Sequence, residues 1–265
     1  MTAVTAALPP GYRDIPDRLN IAGELIDRIP ERGFGDRTAF VWDAGELSFD
    51  AFAARVNRLA HGLAANGIAP GIPVLVRMHN CHEFAETVLA LMKIGALPVL
   101  QNSLLGEEEV LYVLEHSDAQ AAITVGSLAE PVINLADKLP AGIIVARGAP
   151  EDTLDFEALI DNAPDTPFDT ANTASEDPAF FVYTSGTTGR PKGIVHAHRW
   201  VIALGDSNRY RLPPVDGDRA YATGEWSFIS ALGHNVMFPL RNGVTGVILE
   251  ERPSPENVLK AVERH

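Results

Sequence analysis

The 265-residue sequence has little cysteine and little positive charge. Its one cysteine, Cys81, cannot form a disulfide within the chain, which fits a reducing compartment and predicts a cytoplasmic protein. Lys and Arg number 21 against 35 Asp and Glu, and the net charge of −14 opposes general binding to nucleic acid or to anionic membranes. Any anionic ligand must therefore be held by a local site.

Long apolar runs are also missing. The sequence has no run of about 18 apolar residues, the length that a membrane span needs. The N-terminus has no basic region, and its short apolar stretch ends at Pro9 and Pro10, so it does not resemble a secretory signal. The sequence therefore predicts no contact with a membrane. Its 46% hydrophobic content supports a sizeable core in one or two domains.

Local signals predict three helices in the first part of the chain. Ser48 is a predicted N-cap, apolar residues follow it at the helical period, and Gly67 ends the helix. Asn80 and Glu83 resemble a capping box at the start of a second helix. Three glutamates at 107–109 suit the N-terminus of a third helix, because negative charge complements the helix dipole there.

Short apolar segments alternate with these helices and predict strands. The predicted strands are 73–78, 96–100, 121–125 and 142–146, with a further helix near 127–138. Such alternation predicts an α/β fold whose mostly parallel sheets are covered by helices.

An acidic, proline-rich segment interrupts the alternation. Residues 147–178 contain four prolines and nine acidic residues against one arginine, which predicts a solvated connector with a short helix in it. The predicted organisation is an N-terminal arm at 1–30, a first α/β subdomain at 31–147, a connector at 148–178, and a strand pair with the start of an incomplete second α/β subdomain at 179–265.

The last part of the chain predicts further strand and helix units. Strands are expected at 219–223 and 244–249, with a helical stretch at 228–238 between them. Ser254 is a predicted cap for a final helix that has Pro255 at its first position. Because another strand is expected after this helix, we expect the chain to be the N-terminal part of a longer protein.

The stretch YTSGTTGRPKG, residues 183–193, combines three glycines, four Ser and Thr residues and two cations. Glycines let backbone N–H groups point inward, hydroxyls add donors, and Arg190 and Lys192 supply charge, so the stretch can wrap phosphate oxygens. It lacks the spacing of a Walker A loop, and a strand rather than a helix is predicted after it. A surface hairpin rich in turn residues is the alternative from composition alone.

The same stretch resembles the phosphate-binding signature of the adenylate-forming superfamily, which includes acyl-CoA synthetases, peptide-synthetase adenylation domains and luciferases. The segments LSFDAFAARVNRLAHGL, 47–63, and LMKIGALPVLQNSLLGEEEVLYVLEHSDAQAAITV, 91–125, resemble two further motifs of that family. The resemblance therefore covers nearly the whole chain, and it implies the N-terminal portion of the large domain of that fold.

The resemblance implies a reaction and the residues that would bind ATP. A carboxylate would attack the α-phosphate of ATP to give an acyl-adenylate and pyrophosphate, and thioester formation with coenzyme A would follow. The residues that would hold the β- and γ-phosphates are Thr184, Ser185, Gly186, Thr187, Thr188, Gly189 and Lys192. Donors and a cation near the leaving pyrophosphate would stabilise the charge that develops there.

The segment 225–243 matches the region of the family that forms one wall of the acyl pocket. Together with the residues after it, it resembles benzoate- and aminobenzoate-CoA ligases, which predicts a small aryl acid as substrate. The residues expected to form the pocket are Trp226, Phe228, Ile229, Ala231, Leu232, Gly233, His234 and Asn235. The alternative is an amphipathic helix packed in the core, with His234 bonded to backbone.

Several functional parts of the family cannot be assigned to this sequence. These are the glutamate that helps to bind magnesium, the aspartate that holds the ribose, the hinge, and the small C-terminal domain with its lysine. We therefore assign no catalytic residue, place the Mg²⁺ ligand outside this sequence, and expect the chain alone to be inactive. The alternatives are an adenylation unit that loads a carrier protein, and a noncatalytic subunit or one half of a split enzyme. The expected partners are the small-molecule carboxylate, ATP and coenzyme A, with a second copy or a complementary C-terminal half.

Four histidines and the cysteine need separate consideration. His79, Cys81 and His82 are close in sequence, but they span a strand end and a helix start, so their side chains should diverge and no metal site is assigned. His196 and His198 follow the glycine-rich stretch, and the family usually has a histidine at the position of His198. We expect these two to support the structure rather than to act in acid-base catalysis.

Overall fold

The computed structural model describes residues 15–184, 190–251 and 253–265. The strands in this part of the chain are β1 (Thr38–Trp42), β2 (Gly45–Ser48), β3 (Pro73–Arg77), β4 (Leu97–Leu100), β5 (Ala121–Val125), β6 (Ile143–Ala146), β7 (Leu154–Asp155), β8 (Pro178–Thr184), β9 (Lys192–Ala197), β10 (Arg219–Ala220) and β11 (Thr245–Val247).

The α-helices are α1 (Ile29–Arg32), α2 (Phe49–Ala65), α3 (His82–Ile94), α4 (Glu107–Ser117), α5 (Glu130–Ile133), α6 (Phe156–Asp161), α7 (Trp200–Arg211), α8 (Ile229–Leu232), α9 (Phe238–Asn242) and α10 (Pro255–Arg264). Two π-helical segments, Gly23–Asp27 and Gly233–Met237, and two 3-10 turns, Gly126–Leu128 and Ala136–Lys138, complete the described helical structure. No helix in the described ranges is both long and apolar enough to cross a membrane.

The strands form two sheets. The larger has the order β7-β6-β5-β3-β4-β8-β9, in which every neighbouring pair is parallel except the antiparallel β8 and β9. The smaller has the order β10-β11-β1-β2, with an antiparallel pair only between β1 and β2. The mixed, mostly parallel α/β fold expected from the sequence is therefore confirmed.

Alternating residues of the larger sheet form two separate cores. Val74 and Val76 of β3 face a core that also contains α2, α3 and Phe40 of the smaller sheet. Leu75 faces the opposite core, which α4 and α5 cover. A strand that is buried on both faces has no polar side, which explains why the strands read as continuous apolar runs in the sequence.

The predicted helix caps are present at both ends of the chain. The Ser48 hydroxyl accepts a hydrogen bond from the Ala51 N–H at 3.1 Å, at the start of α2. The Ser254 hydroxyl accepts one from the Asn257 N–H at 3.1 Å, at the start of α10. These bonds satisfy N–H groups that have no partner within the helix.

Other local predictions were wrong. Asn80 does not cap a helix, because α3 begins at His82 and the Asn80 carboxamide bonds the backbone of a distant segment. The helix expected near 127–138 is two 3-10 turns and the short α5. The predicted connector contains α6, the short helix expected in it, and also β7, which was not predicted and which extends the larger sheet by pairing with β6. For Asn80, the hydrogen bonds to a segment far away in sequence could not be predicted from local pattern.

The sheets do not follow the predicted division of the chain, which stays a prediction. β1 and β2 precede residue 50 but share a sheet with β10 and β11, and Phe40 is aligned with Gly246. The hairpin of β8 and β9 joins the larger sheet beside β4. The described part of the predicted N-terminal arm is also packed into the core, with Ile21 and Leu25 fully buried.

Candidate functional site

The glycine-rich stretch lies at the carboxyl end of β8. In the larger sheet β8 runs parallel to β4, with Val99 aligned to Phe181. Thr184 ends β8, Lys192 begins β9, and the two residues are paired across the hairpin. In open parallel sheets, ligands bind outside the carboxyl ends of the strands. The fold therefore places the predicted phosphate-binding stretch at the edge of the sheet where such sites form.

Two of the seven predicted phosphate-binding residues can be placed. Lys192 is exposed and makes no ion pair with any residue that the structure describes. Thr184 is half-buried, next to it across the hairpin. Ser185, Gly186, Thr187, Thr188 and Gly189 lie outside the described residues. An unpaired ammonium beside a hydroxyl at the mouth of the hairpin suits an anionic ligand, and phosphate oxygens fit this pair of donors.

The predicted acyl-pocket segment forms a continuous helical stretch. It consists of α8, the π-helical segment Gly233–Met237 and α9. Trp226, just before it, is fully buried and packs against Phe40 at 5.9 Å and Phe84 at 5.9 Å between ring centroids. Ala231, Leu232 and Gly233 are also buried. In this structure these four residues belong to the core, as in the alternative interpretation of the segment.

Asn235 is a structural residue in this arrangement. Its carboxamide oxygen accepts from the Ala222 N–H at 3.1 Å and from the Trp226 indole at 3.3 Å. Its NH₂ group donates to the carbonyls of Ala220 at 3.1 Å and Val247 at 3.2 Å. Because these four bonds use every donor and acceptor position of the side chain, Asn235 joins β10 and β11 to the helical segment.

Among the predicted pocket residues, three are at least partly exposed to solvent: Phe228, Ile229 and His234. Phe228 is 39% exposed, and Ile229 is half-buried. His234 is exposed, its Nδ1 lies 2.8 Å from the Ser230 carbonyl oxygen, and it borders a cavity of about 400 Å³ that Tyr221 also lines. The assignment of an acid-binding surface to these three residues stays a prediction.

Two contacts that the sequence did not predict hold this segment against the larger sheet. Asn80, which follows β3, accepts from the Trp226 N–H at 2.8 Å and donates to the Gly224 carbonyl at 3.0 Å. Ser103, which follows β4, donates from its hydroxyl to Glu225 at 2.9 Å, and its N–H donates to the same carboxylate at 3.2 Å. The predicted acyl segment therefore lies at the same carboxyl edge of the sheet as the glycine-rich stretch.

The two histidines after the stretch have buried environments. His198 is 2% exposed, and its Nδ1 accepts a hydrogen bond from the Ile21 N–H at 3.0 Å. Burial lowers its pKa to about 4. His196 stacks on Phe180 with ring centroids 4.8 Å apart, and burial lowers its pKa as well. Both histidines are therefore neutral at pH 7, and His198 ties the segment after β9 to the N-terminal helical region.

The side chains of His79, Cys81 and His82 are all partly or fully buried, and the Glu83 carboxylate acts on the pKa of each. Cys81 is fully buried, and burial raises the pKa of its thiol. His82 lies 2.9 Å from Glu86 through Nδ1 and stacks on Trp42 at 4.8 Å. Within the described ranges, no group of three or more His, Cys, Asp and Glu side chains is arranged to hold a metal ion.

A glycine-rich stretch with Ser and Thr hydroxyls, at the carboxyl end of a parallel α/β sheet, is typical of enzyme domains that bind nucleotides. The chain belongs to the family of AMP-binding enzymes, whose family model matches residues 29–265. The superfamily expected from the sequence motifs is therefore confirmed.

Two curated relatives show which members of the family this chain is similar to. The chain is 35% identical to a benzoate–CoA ligase of Thauera aromatica over 263 residues, covering 97% of this chain and 49% of that protein. It is 33% identical to a 3-hydroxybenzoate–CoA ligase of Aromatoleum sp. (strain CIB), covering 93% of this chain and 47% of that protein. The chain thus spans about half the length of the curated relatives it matches.

Solved structures agree with these relatives. The anthranilate CoA ligase AuaEII, solved in complex with anthranoyl-AMP, superimposes with a TM-score of 0.89 at 27% identity, over 95% of this chain and 49% of that one. A benzoate CoA ligase from Burkholderia xenovorans LB400 superimposes with a TM-score of 0.82 at 28% identity, over 93% of this chain and 48% of that one. The described fold therefore corresponds to about half of such a ligase.

Proposed function

We propose that this chain forms the phosphate-binding part, and one wall of the acid-binding part, of an ATP-dependent ligase that converts a small aryl carboxylic acid into its coenzyme A thioester. The observation that carries the proposal is the pair of Thr184 and Lys192, which flank a glycine-rich stretch at the carboxyl edge of a parallel sheet in a chain of the AMP-binding family. Benzoate or an aminobenzoate is the proposed acid, because relatives are named for benzoate and hydroxybenzoate and a structural neighbour for anthranilate.

The chemistry assigned to the described residues is electrostatic. In acid activation, pyrophosphate leaves the α-phosphorus, and negative charge grows on the leaving oxygens. Lys192, which has no competing carboxylate among the described residues, would bind those oxygens, and the Thr184 hydroxyl would donate to them. Coenzyme A would accept the acyl group, and Mg²⁺ would be bound by residues outside this chain. Cytoplasm is the proposed location.

The test is carboxylate-dependent exchange of labelled pyrophosphate into ATP. The panel contains benzoate, 2-aminobenzoate, 3- and 4-hydroxybenzoate and acetate, assayed with this chain alone and with this chain plus a polypeptide that supplies the remaining half of a relative. We expect no exchange with the chain alone, and exchange with the aryl acids but not with acetate after complementation. Exchange by the chain alone would show that it needs no further half.

A second measurement separates the acceptor from the activation step. Once exchange is observed, coenzyme A and a carrier-protein thiol are offered in parallel, and thioester formation is followed by mass spectrometry. Thioester on coenzyme A alone supports the proposal, whereas acyl transfer to the carrier protein alone would assign the chain to a carrier-loading enzyme.

Lys192→Ala should slow pyrophosphate exchange at least about tenfold while leaving thermal stability unchanged, because it removes an exposed charge that makes no ion pair with a described residue. If the variant and the wild type exchange pyrophosphate at equal rates, the assignment of Lys192 to the phosphate-binding site is wrong.

A further inference from the structure

One face of α4 contacts both ends of the glycine-rich stretch. Tyr112 and His116 lie four residues apart on this helix, which places them on one side, and their ring centroids are 5.4 Å apart. Tyr183 precedes residues 185–189, and Arg190 follows them. Each of these two residues contacts one member of the pair formed by Tyr112 and His116.

The contact before the stretch joins Tyr183 to His116. The Tyr183 hydroxyl oxygen lies 2.7 Å from Nδ1 of His116, and the two rings meet edge to face at 5.7 Å. Burial raises the pKa of Tyr183 to about 12, so the hydroxyl keeps its proton and can donate. The Tyr183 ring also covers Gly193, its partner in the hairpin, where an added Cβ would lie 2.9 Å from the ring carbon Cζ. This contact therefore fixes both strands of the hairpin against α4.

The contact after the stretch joins Arg190 to Tyr112. The guanidinium carbon of Arg190 lies 5.2 Å from the centre of the Tyr112 ring, within the range of a cation–π interaction. Together with Pro191 and the glutamates at 108, 109 and 115, these residues line a groove of about 520 Å³. Arg190 is exposed and has no ion pair with any described residue, and its guanidinium lies over the ring face of Tyr112.

We propose that the pair Tyr112 and His116 positions Thr184 and Lys192 for nucleotide binding, by holding Tyr183, which precedes Thr184, and Arg190, which lies two residues before Lys192. The proposal rests on the proposed function and assigns positioning residues to the same site. Because one helix holds the backbone next to both proposed phosphate-binding residues, Thr184 and Lys192, less conformational entropy is lost when they bind phosphates. Packing alone accounts for the buried Tyr183, and the three glutamates of the groove also attract Arg190, so the test must separate the ring face of Tyr112 from those carboxylates.

The first test uses two substitutions of one residue. Tyr112→Phe keeps the ring face that Arg190 contacts, whereas Tyr112→Leu removes it and keeps an apolar side chain. Each variant, complemented with the polypeptide that supplies the remaining half of a relative, is titrated by calorimetry with ATP, and with AMP as a ligand that lacks the β- and γ-phosphates. We expect Tyr112→Leu to raise the Kd for ATP about threefold and Tyr112→Phe to stay within about 1.5-fold, with the Kd for AMP unchanged in both.

The second test is independent of nucleotide. Hydrogen exchange is measured on peptides that cover 178–197 in the wild type, in Tyr112→Leu and in Tyr183→Phe, which removes only the hydroxyl that contacts His116. His61→Leu is the matched control, because it removes an imidazole that packs edge to face on Phe168 at 5.0 Å, on α2 and away from the hairpin. We expect faster exchange in these peptides in the first two variants and wild-type rates in the control.

The outcomes separate this inference from the proposed function. If the wild type binds ATP no more tightly than AMP, the proposed phosphate site fails, and the nucleotide role of the pair fails with it. If the wild type prefers ATP but Tyr112→Leu matches Tyr112→Phe in both Kd and exchange, the phosphate site stands and the positioning role is refuted. The inference is supported if Tyr112→Leu binds ATP about threefold more weakly and exchanges hydrogen faster in these peptides, while Tyr112→Phe binds ATP like the wild type.

Discussion

Acidification should destabilise this protein through one buried imidazole. His198 is 2% exposed and accepts a hydrogen bond from the Ile21 N–H through Nδ1. Burial of the charge that protonation would create lowers the pKa from 6.5 to about 4 in the folded protein, against the opposing effect of the Asp177 charge. Between these two values the unfolded chain binds more protons than the folded chain. Stability contributed by neutral His198 is therefore complete above pH 6.5 and is lost as the pH falls.

The magnitude follows from the difference between the two pKa values. At pH 5.5, against pH 7, the linkage relation gives a loss of about 1 kcal/mol from His198 alone. This pH lies above the sequence pI of about 4.9, so the comparison avoids the region of lowest solubility. A loss of this size should be visible as a lower midpoint in urea denaturation.

The comparison needs a variant, because other groups titrate in the same range. Burial lowers the pKa of His196. Burial also acts to lower the pKa of His82, but the hydrogen bond to Glu86 together with the charges of Glu86 and Glu83 outweighs it, so the pKa of His82 is raised. His198→Asn keeps an oxygen acceptor near the position of Nδ1 and has no proton to gain. We expect the free energy of unfolding of the wild type to fall about 1 kcal/mol further than that of His198→Asn between pH 7 and pH 5.5. Equal changes in the two proteins would refute the assignment of the lowered pKa to His198.

Three further predictions concern stability at pH 7 and can be checked by urea denaturation. Ser48→Ala should cost about 1 kcal/mol, because it removes the hydroxyl that caps α2, and a Ser48→Asp variant of wild-type stability would support that reason. Gly62→Ala should lower the free energy of unfolding by about 1–3 kcal/mol, since the new Cβ would lie 2.7 Å from the Leu159 carbonyl oxygen. Gly205→Ala in α7 is the control, because a Cβ there meets its neighbours at ordinary contact distances, and the change should be neutral or stabilising by up to about 1 kcal/mol. Glu86→Gln should cost about 3–5 kcal/mol, because this fully buried carboxylate accepts hydrogen bonds from both an arginine and a histidine. A loss below about 1 kcal/mol would contradict that account.

Local chemistry in the sequence predicted most helices and most strands of the larger sheet, with β7 as an exception. Ser48 and Ser254 act as caps where the sequence placed them, because a cap needs only the few residues that follow it. The strands at 121–125 and 142–146 were also found, since strands buried on both faces are marked by continuous apolar residues. These elements depend on neighbours in the chain, which are visible without a structure.

Pairing between distant segments could not be predicted in this way. β1 joins β11 across about two hundred residues, and nothing local in either strand selects that partner. Asn80 lies in a sequence typical of a helix cap, yet its carboxamide forms hydrogen bonds with the backbone of Trp226 and Gly224, because the fold brings these groups within reach. Trp226 itself was expected at a pocket surface, and its complete burial follows from contact with Phe40.

The arrangement of the larger sheet explains how one chain brings the predicted phosphate-binding stretch and the predicted acyl-binding segment together. β4 lies between β3 and β8, and all three run parallel, so the residues that follow them emerge at one edge. Asn80 after β3 and Ser103 after β4 hold the segment that begins at Glu225, and Thr184 ends β8 beside them in the sheet order. The separation of the two regions is therefore set by strand spacing, about 4.8 Å for each step across the sheet. Ser103→Ala, which removes one of the bonds to Glu225, should accordingly alter binding of the acid more than binding of ATP, because the predicted phosphate-binding stretch follows β8 and the contacts proposed to position it come from α4.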